Sequence, residues 1–217
     1  MKKLCIFDLD GTLLNTLPTI AYYGNNALEA YGLPPIELER YKILVGDGRD
    51  MLIHRMLKEY ESDTLELYEK VGAVYDAAYE ADYMFKTEPY DGIDELLAAL
   101  SRQGIKLAVL SNKPHNVAKV IVEKIFPNIF CEIWGKRPDY PTKPSPEAAL
   151  EICSLAGTAA DETVFIGDTS VDIITGKNAH FHTIGCEWGF RTKAELENAG
   201  ADLIAKTPAE IIEYIKK

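Results

Sequence analysis

Two aspartates one residue apart, Asp8 and Asp10, follow the apolar run Leu4-Cys5-Ile6-Phe7 and precede Gly11. The run is short, apolar and rich in strand-favouring residues, so it reads as a buried strand. Alternation along an extended chain puts both carboxylates on one side and Leu9 on the other. Two anions this close repel each other. A divalent cation between them relieves the repulsion, and so does a proton on one of them. A lone Asp-x-Asp before glycine is also what an acidic surface turn looks like. More polar groups stand where later apolar runs stop. The run 106–110 ends at Ser111-Asn112, and the run 163–166 ends at Gly167-Asp168, with Asp172 four residues on. Lys143 lies between them in a proline-rich loop, 137–146. Taken singly these are helix caps, a solvated lysine and an exposed helical carboxylate. Their shared position at strand ends is what points to a site.

The elements that must position them alternate. Strand-like runs at 106–110, 129–134, 163–166, 181–186 and 202–204 are separated by helical stretches at 93–100, after Pro114, and at 146–155, with a helix at the tail. Alternation of this kind argues an α/β fold with a doubly wound, Rossmann-like parallel sheet. In such sheets ligands bind beyond the carboxyl ends of the strands. The stretch from about 15 to 85 shows no strand. Ile20, Tyr23, Ala27, Leu28 and Tyr31 recur at helical spacing, and further helices are expected over 36–45, 51–57 and from Leu65 to about residue 82. A core of 1–14 and 87–217 with an inserted helical module of 15–86 is the expected organisation. The module's tyrosines read as its core and rim.

Composition bounds the partners. The chain has 217 residues, with 34 acidic against 23 basic, a net charge of −11 that disfavours nucleic acid and anionic membrane. No stretch reaches the roughly 18 apolar residues of a membrane span. No leader segment precedes the first strand, so a cytoplasmic location is expected. Cys5, Cys131, Cys153 and Cys186 lack paired spacing and are expected as reduced core residues.

The string Phe7-Asp8-Leu9-Asp10-Gly11-Thr12-Leu13 resembles the first motif of the haloacid dehalogenase-like hydrolase superfamily. Ser111 at a strand end, Lys143 before Pro144, and Gly167-Asp168-x-x-x-Asp172 resemble the other three, in the same order. The resemblance implies that Asp8 is the nucleophile and takes a phosphoryl group. It implies that Asp10 is the acid to the leaving oxygen and then the base for water. It further implies Mg²⁺ held by Asp8, the Asp10 backbone carbonyl and Asp168, with Asp172 in support. The Ser111 hydroxyl, the backbone N–H groups of Asn112 and Lys113, and Lys143 would bind the phosphate. The physics agrees, since phosphoryl transfer is largely positioning plus charge neutralisation.

The helical module is similar to the family's cap. The Gly46 loop, Pro89-Tyr90-Asp91-Gly92 and Trp188-Gly189-Phe190-Arg191 resemble the phosphoglycolate phosphatase-like branch. Thr12, Gly48 and Arg49 are the candidates there for substrate contact. The expected activity is hydrolysis of a small phosphorylated metabolite, with phosphoglycolate favoured, by a monomer or homodimer. The family's phosphosugar mutases usually carry a histidine in the first cap helix; Ile20 stands near that place and no histidine falls within 15–35, so the resemblance disfavours a mutase. The motifs also admit a pyrophosphatase or nucleotidase, and a non-catalytic sensor of a phosphometabolite. The intact acidic and basic set argues against the sensor. His180, His182, Trp188 and Arg191 carry no assigned role.

Overall fold

The computed structural model describes residues 1–216 and divides into two compact units. One comprises Met1–Asn15 and the chain from Pro89 onward; the other is Thr16–Glu88.

The first unit is built on six parallel strands in the order β5-β4-β1-β6-β7-β8. They are β1 (Leu4–Phe7), β4 (Lys106–Pro114), β5 (Glu132–Lys136), β6 (Thr163–Gly167), β7 (His182–Cys186) and β8 (Leu203–Ala205). Two short strands, β2 (Leu14–Asn15) and β3 (Glu88–Pro89), pair where the chain passes between units. β1 is central and every one of its residues is buried. Leu4, Ile6, Ala108, Leu110 and Phe165 belong to one core cluster with Ala148, Ala149, Ile152 and Cys153 of α7 (Glu147–Leu155). Alternation along β1 and β4 turns Cys5, Phe7, Leu107 and Val109 to the opposite face. The other helices of the unit are α5 (Ile93–Arg102), α6 (His115–Ile125), α8 (Ser170–Asn178), α9 (Lys193–Asn198) and α10 (Pro208–Ile215). The chain builds outward from β1 to β4 and β5, then crosses to β6 on the other side. That reversal makes the carboxyl end of β1 the switch point of the sheet.

The structure corrects the sequence reading in several places. β4 continues to Pro114, because after a register shift its pairing with β5 resumes at Pro114 and Lys136. The polar residues from Ser111 onward carry no strand pattern, so pairing alone reveals them as strand. β5 starts at Glu132, later than the expected 129–134 run, and Phe130 just before it packs on Phe7 and Phe126. Cys131, expected in the core, is exposed, whereas Cys5, Cys153 and Cys186 are buried. Asp172 is fully buried, and α8 and α9 had no apolar stripe to announce them.

The second unit contains α1 (Leu17–Glu29), α2 (Leu38–Leu44), α3 (Arg49–Lys58) and α4 (Leu65–Ala81). Tyr23, Tyr41, Tyr75 and Tyr79 are buried, and Tyr22 and Tyr31 lie at its rim. Asn25 fixes the approach to α2: its amide exchanges two 2.9 Å hydrogen bonds with the Ile36 backbone, and its oxygen accepts from Tyr41. Gly24 has no side chain because the Tyr41 ring occupies that space. Among the described residues, no helix is long and apolar enough to cross a membrane.

Candidate active site

The switch point carries the predicted residues. β1 stops at Phe7, and Asp8 continues the ladder by donating its N–H to the Ile166 carbonyl at 2.9 Å. This holds Asp8 beside Asp168, which follows the neighbouring strand β6. Gly11 turns the chain at φ +89, and a Cβ there would strike the Asp168 carboxylate. Only glycine serves at that bend.

Asp8, Asp168 and Asp172 form a buried acidic cluster, each offering an oxygen within 4.8 Å of the others. Lys143 reaches into it with a side chain only 2% exposed. Its Nζ lies 2.9 Å from Asp8 Oδ1 and 2.6 Å from Asp172 Oδ1. Asp8 Oδ1 is buried, with the Lys143 ammonium as its ion-pair partner. Burial pushes the Asp8 carboxyl up to about 7, with Lys143 opposing and Asp172 and Asp10 adding to the rise. Burial, then the charges of Asp172 and Asp8, also hold Asp168 well above the usual carboxylate range. Burial alone would lower the Lys143 ammonium, but the flanking Asp172 and Asp8 carboxylates outweigh it and raise it.

Asp168 is aimed by two donors: the Thr12 hydroxyl at 2.9 Å on Oδ1 and the Phe190 N–H at 2.8 Å on Oδ2. Asp172 has both oxygens engaged. Oδ1 takes Lys143, and Oδ2 takes the Thr169 N–H and hydroxyl at 3.0 and 2.8 Å, capping α8. It supports the lysine more than it faces a ligand.

These residues fit a hard divalent cation. Three buried carboxylates against one ammonium leave two negative charges uncompensated. An unbalanced buried charge is costly, and oxygen donors are what Mg²⁺ takes. In the metal-free chain the sign of the pH effect follows from the raised carboxyls. Their contribution to stability is complete below the ordinary carboxyl range and is lost as pH rises through the folded value, about 7 for Asp8. Thermal melts should therefore show metal-free protein losing stability from pH 5 to pH 8, with Mg²⁺ raising Tm more at pH 8. A Tm shift equal at both pH values would contradict this.

Other predicted residues take different parts. Asp10 is outside the acidic cluster. Its carboxylate receives Lys113 Nζ, 3.1 Å from each oxygen. The Lys113 side chain, unlike its backbone N–H, carries no signal in the sequence beyond its place two residues after Ser111 on an extended chain. Ser111 is buried and its Oγ accepts the Lys113 N–H at 3.2 Å, leaving the hydroxyl proton to donate.

The Asn112 side chain clamps the lysine loop. Its Nδ2 donates to the Lys143 carbonyl at 3.2 Å, and its Oδ1 accepts the Lys143 N–H at 3.0 Å. Asn112→Ala is expected to cost about 1–3 kcal/mol, read by denaturant titration, because it strands two buried backbone groups. A cost below about 0.5 kcal/mol would show that the clamp is dispensable.

Thr12 is fully buried, with its hydroxyl on Asp168 and its carbonyl accepting Trp188 Nε1 at 3.0 Å. Its side chain orients the cluster. Arg49, expected to reach an anionic substrate group, is taken up inside the helical unit. It forms a two-pronged pair with Asp76 at 2.9 and 2.7 Å and also meets Tyr68 and Asp50. Gly48 is the residue before α3, at φ 88.

Fold and site together define an α/β enzyme with a carboxylate-rich centre at the switch point of a parallel sheet. The chain belongs to the haloacid dehalogenase-like hydrolases, whose family model matches residues 5–186. It is 31% identical to a phosphoglycolate phosphatase of Psychrobacter arcticus, over 100% of this chain and 96% of the relative. It is also 31% identical to an N-acetylmuramic acid 6-phosphate phosphatase of Pseudomonas aeruginosa, over 99% and 95% of the two chains. A crystal structure from Lactobacillus delbrueckii, provisionally assigned as a phosphoglycolate phosphatase, superposes with a TM-score of 0.95 at 32% identity, covering 99% of both chains. These likenesses place the chain with the phosphoric monoester hydrolases of the family.

Proposed function

We propose that this chain is a Mg²⁺-dependent phosphatase that hydrolyses a small phosphate monoester, phosphoglycolate being favoured, through an aspartyl-phosphate on Asp8. The observation that carries the reading is the buried Lys143 set between Asp8 and Asp172 at the switch point, with Asp168 beside them. A carboxylate attacks a phosphate dianion only if the repulsion between them is cancelled. Lys143 supplies a fixed positive charge at the Asp8 oxygen. The Asp8 and Asp168 carboxylates, with the Asp10 backbone carbonyl, would hold Mg²⁺. That ion, when bound, supplies the remaining charge neutralisation for the phosphoryl group.

In the first half of the reaction an Asp8 oxygen bonds to phosphorus and the ester oxygen leaves with a proton from Asp10. In the second, water attacks phosphorus, Asp10 takes the water proton, and the electron pair of the breaking bond returns to Asp8. Ser111 would donate its hydroxyl proton to a phosphoryl oxygen. Phosphoglycolate leads because several curated relatives bear that name. The muramic acid phosphatase at equal identity makes its substrate the next to test.

The test is phosphate release from a panel containing both esters, nucleotides and pyrophosphate, with Mg²⁺ and with EDTA. Metal-dependent release from monoesters, highest in kcat/KM for phosphoglycolate, is the expected result. Folded protein that releases phosphate from none of them would end the phosphatase reading.

A further inference from the structure

The Lys113–Asp10 pair is not part of the four-motif resemblance, and its geometry is specific. The Lys113 side chain is 7% exposed and the Asp10 side chain 19%. The ammonium sits symmetrically, 3.1 Å from both carboxylate oxygens. A long, flexible side chain is fixed in this way only where its surroundings hold it. The extended end of β4 does so: the Lys113 N–H bonds back to Ser111 Oγ, and Asn112 between them is anchored on the Lys143 backbone. Three consecutive residues thus serve three different groups of the site.

We infer that Lys113 is a positioning residue for Asp10 in the second half of the reaction. It holds the charged carboxylate where the attacking water must give up its proton. The inference rests on the phosphatase reading above. In that step the water oxygen bonds to phosphorus and the bond from phosphorus to the Asp8 oxygen breaks, its electron pair going to Asp8. The water proton passes to Asp10, and inorganic phosphate departs. The pair seen here is the arrangement that step requires, a charged carboxylate of fixed direction. Lys143 attends Asp8 and Lys113 attends Asp10, so each reacting carboxylate has its own ammonium.

The consequence is a kinetic signature. The pair is one the charged carboxylate makes, whereas in the first half Asp10 carries the proton it gives to the ester oxygen, so losing Lys113 slows breakdown of the phosphorylated enzyme and leaves its formation intact. Lys113→Met and Lys113→Arg would be assayed in the full chain with Mg²⁺, on p-nitrophenyl phosphate and on phosphoglycolate. Acid-quenched protein would be weighed for bound phosphate during turnover. Lys113→Met is expected to lower kcat by about tenfold or more, part of what general base catalysis contributes. The loss should be equal for the two esters. KM should fall with kcat, leaving kcat/KM within about threefold of wild type, and the phosphorylated fraction should rise. Lys113→Arg should recover most of kcat. If Lys113→Met does not fold, Lys113→Gln takes its place in the same assays.

A fall in kcat/KM with kcat unchanged would make Lys113 a ligand for the substrate anion and overturn the inference. So would a fall in kcat without a rise in phosphorylated protein. A variant indistinguishable from an active wild type would overturn this role alone. A wild type that neither releases phosphate nor takes it up would overturn the phosphatase reading and this role with it.

Discussion

Asp8→Asn is expected to fold and to release no phosphate from any ester, a loss of roughly 10⁵-fold or more, the scale on which covalent catalysis fails without its nucleophile. None of the other three carboxylates of the site can substitute. Asp168 is aimed by the Thr12 hydroxyl and the Phe190 N–H, Asp172 has both oxygens engaged, and Asp10 is drawn to Lys113. Of these four carboxylates, Asp8 alone has a buried oxygen without a hydrogen bond, and Lys143 Nζ lies 2.9 Å from it as an ion-pair partner. The fold should not suffer. Burial holds the Asp8 carboxyl up to about 7, so at pH 8 the metal-free chain carries it charged against its environment. An amide removes that charge while keeping the shape. Metal-free Asp8→Asn should therefore melt no lower than metal-free wild type at pH 8, and Mg²⁺ should stabilise it less. Residual turnover above about one part in 10³ of wild type, in protein shown to be free of deamidation, would remove Asp8 from the nucleophile's role.

Lys143→Met should fail in both activity and stability. The ammonium is buried between Asp8 and Asp172, and without it the acidic cluster has no internal counter-charge. Removing one partner of a buried ion pair typically costs on the order of 3–5 kcal/mol, because the other is left uncompensated. The cost should be larger at pH 8 than at pH 5, where the Asp8 carboxyl, pushed up to about 7, is protonated in the fold. Activity with Mg²⁺ present should fall by about 10²-fold or more, the effect of losing one preorganised charge at the reacting group. Urea titrations at the two pH values separate the stability term. A variant as stable as wild type at pH 8 would mean that the cluster is neutralised some other way.

How much of this was legible in the sequence depends on the length scale of the signal. The strand 4–7 and its two aspartates could be read locally, because apolar residues, carboxylates and glycine follow one another within eight positions. The alternation of strands and helices gave the parallel sheet. Lys143, 135 residues from Asp8, is tied to it by no local pattern. Only the ordered resemblance to a family brought the two together. Contacts made by side chains across the fold were not legible. Nothing near Arg49 indicates that Asp76, on another helix, takes its guanidinium. Nothing near Thr12 indicates that its hydroxyl aims a carboxylate 156 positions away. Lys113 looks like one more lysine at a helix start when the strand pattern stops at residue 110, and nothing local leads its side chain into the site. The polar stretch from Ser111 to Pro114 is strand by pairing and not by pattern.

Catalysis through an aspartyl-phosphate on Asp8 is tested most directly by locating the site of phosphorylation. Wild-type protein turning over a monoester with Mg²⁺ would be acid-quenched, digested and mapped by mass spectrometry. One phosphorylated peptide is expected, carrying the group on Asp8, absent from Asp8→Asn and from wild type without ester. Phosphate release with no protein-bound phosphate at any quench time, or with the group on another residue, would contradict it.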